Sequence, residues 1–361
     1  MSKIGILTFQ QTVNYGAQFQ NFALQEYIKS KQEQIETINY QNDSIIAVEK
    51  PSSIFRQKSL KRAIKFIKYH KYYESKWDKF EAFRKKYIHL TEPCVKQSIA
   101  KTCSEFDGII VGSDQVWNTD ITNNDYTYYL DFEKDNSKKY SYAASFGYSE
   151  LPSENKQLIL SYLKQFRSIN LREKSALNMI KSIDCNKNAV LDPTFLLGKE
   201  EWVTKLGLKK DNGRKYIFVY MVDETKENLE KIYELAKKEN LEIVHIRDGF
   251  KELKNIQSIR DASPQEFLNL LYNAKYTVVG SFHGLCLSLI FNKNFYYVLN
   301  NTHNRNSRLI DLLDIVNLLD RNNFKLKEID YNVVNKKLEK NINDSKRILN
   351  SIIDSIEHES K

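Results

Sequence analysis

The chain of 361 residues is poor in the residues that punctuate or staple small folds: 5 prolines, 11 glycines and 4 cysteines. So little Pro and Gly excludes collagen-like and low-complexity disordered classes. Cys94, Cys103, Cys185 and Cys286 are scattered, with no C-x-x-C pair. They supply neither a metal cage nor a disulfide framework, and a reducing compartment fits them best. No cysteine-held metal is therefore expected. Long hydrophobic runs are missing too. The longest apolar stretch, Thr277 to Phe291, contains Ser, His and Gly and is too short to span a bilayer. No signal peptide is visible, because Lys3 to Phe9 already reads as a strand. The expected location is cytoplasmic.

What the chain does have is ordinary globular composition, 41% hydrophobic and 28% charged, and an excess of positive charge, formally +9. That charge favours anionic partners: phosphorylated metabolites, nucleic acid or an anionic membrane face. Much of it is local, in Arg56 to Tyr87, where Lys and Arg are interleaved with Tyr and Trp, and Leu60, Ile64 and Ile67 recur at helical spacing. One reading is peripheral contact of residues 56–87 with a membrane face or a lipid-linked substrate; the other is a solvated pair of helices. A nucleic-acid partner is not expected, because the charge sits in one insertion and no nucleic-acid module accompanies it.

Strand patterns alternate with helical ones nearly throughout, which predicts an α/β fold with parallel sheets. KIGILTF, FDGIIVG, KKYSYAASFG and SINL read as strands of a first series, KYIFVYMV, LEIVHI and YTVVG of a second. At SINLREKSA strand is expected to pass directly into helix, and a helix is expected from Ser153 to Phe166. Ser263, Pro264 and Glu266 form a capping-box start for another. These elements divide into an N-terminal Rossmann-like domain (1–191) with a basic helical insertion (about 54–90), a C-terminal Rossmann-like domain (192–330) and a C-terminal amphipathic helix (331–361). The helix carries one apolar stripe, including Leu338, Leu349, Ile352 and Ile356, and is expected to pack across the body. Two such domains in this order correspond to a GT-B-like arrangement, a likeness of fold and not of function.

Candidate functional residues cluster at strand-to-helix turns. GSFHG places His283 between a strand ending at Gly280 and a helix starting near Gly284. Helix N-termini attract anions there; Ser281 can add a hydroxyl, and Gly284 can let backbone approach a ligand. In NNTHNRNSRLIDLL, Arg305 and Arg308 stand at the start of the next helix, suited to phosphate or carboxylate. Arg172 in LREKSA is placed to meet a ligand, or to make a salt bridge with a neighbouring carboxylate. Asn14 and Tyr15 lie in a βα loop too poor in glycine for a dinucleotide fingerprint. GSDQVWN joins a carboxylate, an amide and an indole in Asp114, Gln115 and Trp117, a mixture suited to a sugar.

In order along residues 3 to 320, NYGAQFQNFALQ, GSDQVWN, SYAASFG, LREKSA, LDPTFLL, GSFHGLCLSLIFNK and RNSRLIDLL resemble the polysaccharide pyruvyltransferase family. The resemblance implies a GT-B-like fold and transfer of the pyruvyl group of phosphoenolpyruvate, a co-substrate and not a resident cofactor. The acceptor it implies is a sugar of a surface polysaccharide (exopolysaccharide or capsule) or of its lipid-linked precursor, and the product is a ketal. It gives Arg172 and His283 as donor-site residues. Members with established activity tend to carry an Arg two residues before the histidine; Ser281 stands there, and Arg305 or Arg308 is the expected substitute. The competing expectations are a GT-B glycosyltransferase using a nucleotide-sugar and a non-catalytic binding member of the family.

Overall fold

Short apolar runs become buried parallel strands in the computed structural model, which describes residues 2–32, 34–50, 60–211, 213–221, 224–249, 252–299, 306–325 and 328–359. The chain forms two units, Met1–Leu196 with Asn341–Lys361, and Leu197–Lys340. The first contains β1 (Ile4–Leu7), α1 (Tyr15–Lys29), β2 (Ile35–Thr37), α2 (Asp43–Glu49), α3 (Leu60–Tyr87), α4 (Ile99–Cys103), β3 (Gly108–Val111), α5 (Thr119–Thr122), β4 (Lys139–Ser141), α6 (Lys156–Leu163), β5 (Ser168–Leu171) and β6 (Asn186–Ala189). Its strands make one parallel sheet in the order β2-β1-β3-β4-β5-β6. The central strands IGIL and GIIV are buried at every position, as expected of a parallel sheet covered on both faces.

The second unit contains α7 (Lys199–Leu206), β7 (Tyr216–Tyr220), α8 (Lys226–Glu239), β8 (Glu242–Ile246), β9 (Gln257–Ile259), α9 (Pro264–Asn273), β10 (Tyr276–Val279), α10 (Phe282–Ile290), β11 (Asn294–Tyr297) and α11 (Ser307–Val316). Its sheet is also parallel, ordered β11-β10-β7-β8-β9. The capping box that opens α9 is present: Ser263 Oγ accepts from Glu266 N (3.0 Å), and Ser263 N donates to Glu266 Oε2 (2.6 Å). From Tyr331 to Glu359 runs α12, whose residues from Asn341 onward belong to the first unit. Leu349, Ile352, Ile353 and Ile356 join the core beneath the first sheet. Gly108 is obligatory there, since a Cβ on it would stand 2.5 Å from Ile356 Cδ1.

Several expectations change. Residues 56–59 of the basic stretch lie outside the described residues, and from Leu60 to Tyr87 it forms one helix of 28 residues rather than a pair. Along its length α3 passes from solvent into the core: Ile67 is 63% exposed, whereas Trp77, Phe80 and Phe83 are buried. Its inner half packs on α1 through Phe80 against Tyr15 and Phe83 against Phe22. The helix expected over Ser153–Phe166 is shorter, and SINL leads into a 3-10 turn (Lys174–Ile180) rather than an α-helix. Two strands carry too few apolar residues to be read from sequence, β6 (NKNA) and β9 (QSI), and both are sheet edges with one neighbour each.

Candidate active site

Each sheet reverses its winding direction once. In the first, β1 lies between β2 and β3; in the second, β7 lies between β8 and β10. At such a point neighbouring connections leave on opposite faces, and the carboxyl ends of the strands open a crevice in which α/β proteins bind ligands. The histidine turn sits at that point in the second unit. Gly280 N donates to Tyr220 O at the end of β7 (2.9 Å), and a Cβ on Gly280 would lie 3.0 Å from Met221 Cβ.

Ser281 is the N-cap of α10: its Oγ accepts from Gly284 N at 3.1 Å. Gly284 is explained from within, because a Cβ there would stand 2.8 Å from Ser281 Oγ and 3.1 Å from Val279 Cγ1. The glycine lets α10 close on its own strand, a different reason from the ligand approach expected of it. His283 is half-buried in the first turn of α10, its ring edge-on to Phe282 with centroids 5.4 Å apart. Arg308, in the first turn of α11, places its guanidinium carbon 5.9 Å from the centroid of that same Phe282 ring. A helix N-terminus, an imidazole and a guanidinium are thus gathered around one phenyl ring, a combination suited to an anion. Arg305 lies outside the described residues.

Further along this edge is a histidine that the sequence reading treated only as part of a strand. His245 in β8 is fully buried, 3.9 Å from Glu224, and Arg247 donates from Nε to Glu224 Oε1 (2.6 Å). Burial, with the Arg247 charge as a second cause, pushes the His245 pKa down to about 3. Its only signal in the sequence is an imidazole among β-branched residues.

At the corresponding point of the first unit, the loops after β1 and β3 are tied by Thr8 Oγ1 donating to Ser113 O (2.8 Å). Asn14 is the exposed N-cap of α1, accepting from Ala17 N (3.3 Å). Tyr15 is buried against Phe80 on α3, with ring centroids 4.9 Å apart, so it presents no ligand face. The reading of Trp117 as a sugar platform also changes. Its indole is 0% exposed, stacks on Tyr129 and donates from Nε1 to Tyr128 O (2.8 Å). The aromatic surroundings made it a core residue.

Arg172 follows β5, with its side chain 1% exposed. Nη1 donates to Ser113 Oγ and to Asp192 Oδ2, both at 3.3 Å; Glu173 Oε1 lies 3.5 Å from Nε, and Asp114 Oδ1 lies 3.9 Å from Nη2. Burial alone would lower its pKa, but the charges of Glu173, Asp114 and Asp192 outweigh that and raise it. The salt-bridge alternative describes this geometry. Asp192 is itself held by Ser113 Oγ (3.0 Å) and by Thr194 N and Oγ1 (3.0 and 2.8 Å), which gives LDPT its purpose.

Asp114 and Gln115 occupy the turn after β3. Asp114 adopts φ +78°, a region that few non-glycine residues enter, and its carbonyl accepts from Ser145 N (3.0 Å). Gln115 Oε1 accepts from Asn118 Nδ2 (3.0 Å), packed over Gly147, where a Cβ would come within 2.1 Å of that oxygen. Sequence reading also missed the buried amides of α1. Gln18 Nε2 donates to the carbonyls of Gln10 and Thr12 (2.9 and 3.0 Å), and Arg84 of α3 donates from Nη1 to the same two oxygens (3.2 and 3.0 Å). The repeated Gln and Asn of NYGAQFQNFALQ were their signal. Among the described residues no group of three His, Cys, Asp or Glu is arranged to hold a metal ion. Nor is any helix there long and apolar enough to cross a membrane.

The fold is that of an α/β enzyme of two Rossmann-like units, each built on a parallel sheet. UDP-GlcNAc 2-epimerase from Methanocaldococcus jannaschii is similar in structure, at 13% identity and TM-score 0.51, over 98% of this chain and 99% of that one. The enzyme of the same name from Neisseria meningitidis, bound to UDP-GlcNAc, gives 11% identity and TM-score 0.51 over the same shares. At such identities the likeness concerns fold alone. No curated protein sequence matches. The model of the polysaccharide pyruvyl transferase family matches residues 14–303, so the chain belongs to that family and is a transferase.

Proposed function

We propose that the protein transfers the pyruvyl group of phosphoenolpyruvate to a sugar of a surface polysaccharide or of its lipid-linked precursor. The observation that carries this reading is the histidine turn at the winding reversal of the second sheet, with Arg308 beside it. Phosphoenolpyruvate brings a phosphate and a carboxylate, and the α10 N-terminus and the Arg308 guanidinium are donors for them. His283 delivers a proton to the methylene carbon, which leaves an oxocarbenium-like centre. A sugar hydroxyl attacks that carbon, phosphate departs, and a second hydroxyl closes the ketal. Proton delivery of this kind contributes about a hundred- to ten-thousand-fold in rate.

The loops after β1 and β3 take the acceptor in this scheme, with Asn14, Asp114 and Gln115 as the polar groups. Arg172 positions the carboxylates around it. The exposed outer part of α3, with Ile67, Lys68 and Lys71, supports contact with an anionic lipid surface carrying the acceptor.

The test is release of inorganic phosphate from phosphoenolpyruvate in the presence of a panel of glycosides, comparing wild type with His283→Ala. Thermal stabilisation by phosphoenolpyruvate and by nucleotide-sugars is measured in parallel. Stabilisation by nucleotide-sugars alone, with no phosphate release, overturns the proposal in favour of a glycosyltransferase.

A further inference from the structure

We infer that Asp114 is the general base that takes the proton of the attacking sugar hydroxyl, with Gln115 as its partner in reading that hydroxyl; this rests on the pyruvyl-transfer reading above. Five observations converge. The residue stands at the winding reversal of the first sheet, where ligands of α/β proteins bind. Its backbone is held in the left-handed region, at φ +78°, by Ser145 N donating to its carbonyl, and such conformations gather at functional sites.

Its two carboxylate oxygens are used unequally. Oδ1 accepts from Gln115 N (2.8 Å) and faces Arg172 Nη2 (3.9 Å), while Oδ2 has no hydrogen-bond partner among the described residues. Next to it, Gln115 commits Oε1 to Asn118 and leaves Nε2 without a partner among the described residues. Adjacent residues therefore keep one acceptor and one donor unspent, the two contacts that a hydroxyl both gives and takes. The side chain of Asp114 is 12% exposed, against 0% for Asp192 on the same guanidinium. Arg172 is thereby a positioning residue that orients Asp114.

In the step itself the hydroxyl O–H bond breaks, its proton passes to Asp114 Oδ2, and the oxygen bonds to C2 of the donor. The methylene carbon takes its proton from His283, the C2–O bond to phosphate breaks, and a second sugar hydroxyl bonds to C2 and gives up its proton, which restores His283; the proton on Asp114 passes through solvent to the released phosphate, so the net products are ketal and inorganic phosphate.

The experiment measures phosphate release by wild type, Asp114→Asn and Gln115→Ala, with phosphoenolpyruvate and a panel of p-nitrophenyl glycosides. Asparagine tolerates the left-handed backbone well, so the Asp114→Asn chain folds, which its thermal unfolding verifies. Loss of roughly a hundredfold or more in kcat, with unchanged stabilisation by phosphoenolpyruvate, supports the assignment. Gln115→Ala is expected to raise the glycoside KM and leave kcat nearly unchanged. Active wild type beside an Asp114→Asn of equal rate overturns this assignment alone. Wild type that neither binds phosphoenolpyruvate nor releases phosphate overturns the pyruvyl-transfer reading and this assignment with it.

Discussion

The two carboxyl edges are built from opposite chemistries. In the first unit one guanidinium is ringed by Asp114, Glu173 and Asp192, so the buried charge is net negative and hydrogen bonds fix most of it. In the second, the N-terminus of α10, a half-buried imidazole and Arg308 meet around Phe282, and the bias is positive. Under the proposed reaction the difference would separate two kinds of partner: a carboxylate-rich edge suits a neutral polyol, and a helix mouth with a guanidinium suits a doubly anionic small molecule.

His283→Ala should have the largest effect, a fall of about a hundred- to ten-thousand-fold in phosphate release, with unfolding little altered because the ring is only half-buried. Equal loss of activity and of stability would mean that the histidine merely fills space. Arg172→Met should act in the opposite way. It leaves three carboxylates without their cation, and breaking a buried pair costs about 3–5 kcal/mol, read as the free energy of urea unfolding. Thermal stabilisation by phosphoenolpyruvate should survive wherever that variant folds; its disappearance would assign Arg172 to the donor after all.

Acid should weaken the second unit through His245. Its folded-state pKa lies below the ordinary 6.5, at about 3, so between those values the unfolded chain binds a proton that the folded chain refuses. Stability therefore falls as pH drops below 6.5, by about 2 kcal/mol at pH 5 as an order of magnitude. Comparing urea unfolding of wild type and His245→Leu at pH 7 and 5 isolates this contribution, and an identical pH response in both would remove it. The smallest effect is expected from Arg308→Ala, roughly a tenfold rise in the phosphoenolpyruvate KM, about 1.4 kcal/mol, with acceptor KM unchanged.

How much of this was legible in the sequence follows from what each residue answers to. Central strands such as GIIV and YIFVY declare themselves by apolar content, because both faces are covered. Edge strands β6 and β9 do not, since backbone pairing from one side holds them whatever their side chains. His283 and Ser281 could be placed because strand-to-helix turns are local. Trp117 and Tyr15 were misjudged because their partners, Tyr129 and Phe80, arrive from other elements. A run such as GSDQVWN does not reveal which of its side chains point inward. The cage around Arg172 likewise depends on Asp192, delivered from the loop after an unrecognised strand.

The return of residues 341–361 to the first unit bears on how the chain is made. Emerging from the ribosome, the first sheet has no Ile356 to lie over Gly108 and keeps one apolar flank open while some 140 further residues are added, a delay of about 10–30 s at ordinary elongation rates. The second unit, uninterrupted in sequence, can mature in that interval. Nascent chains halted ahead of Asn341 should therefore be the ones that chaperones hold longest.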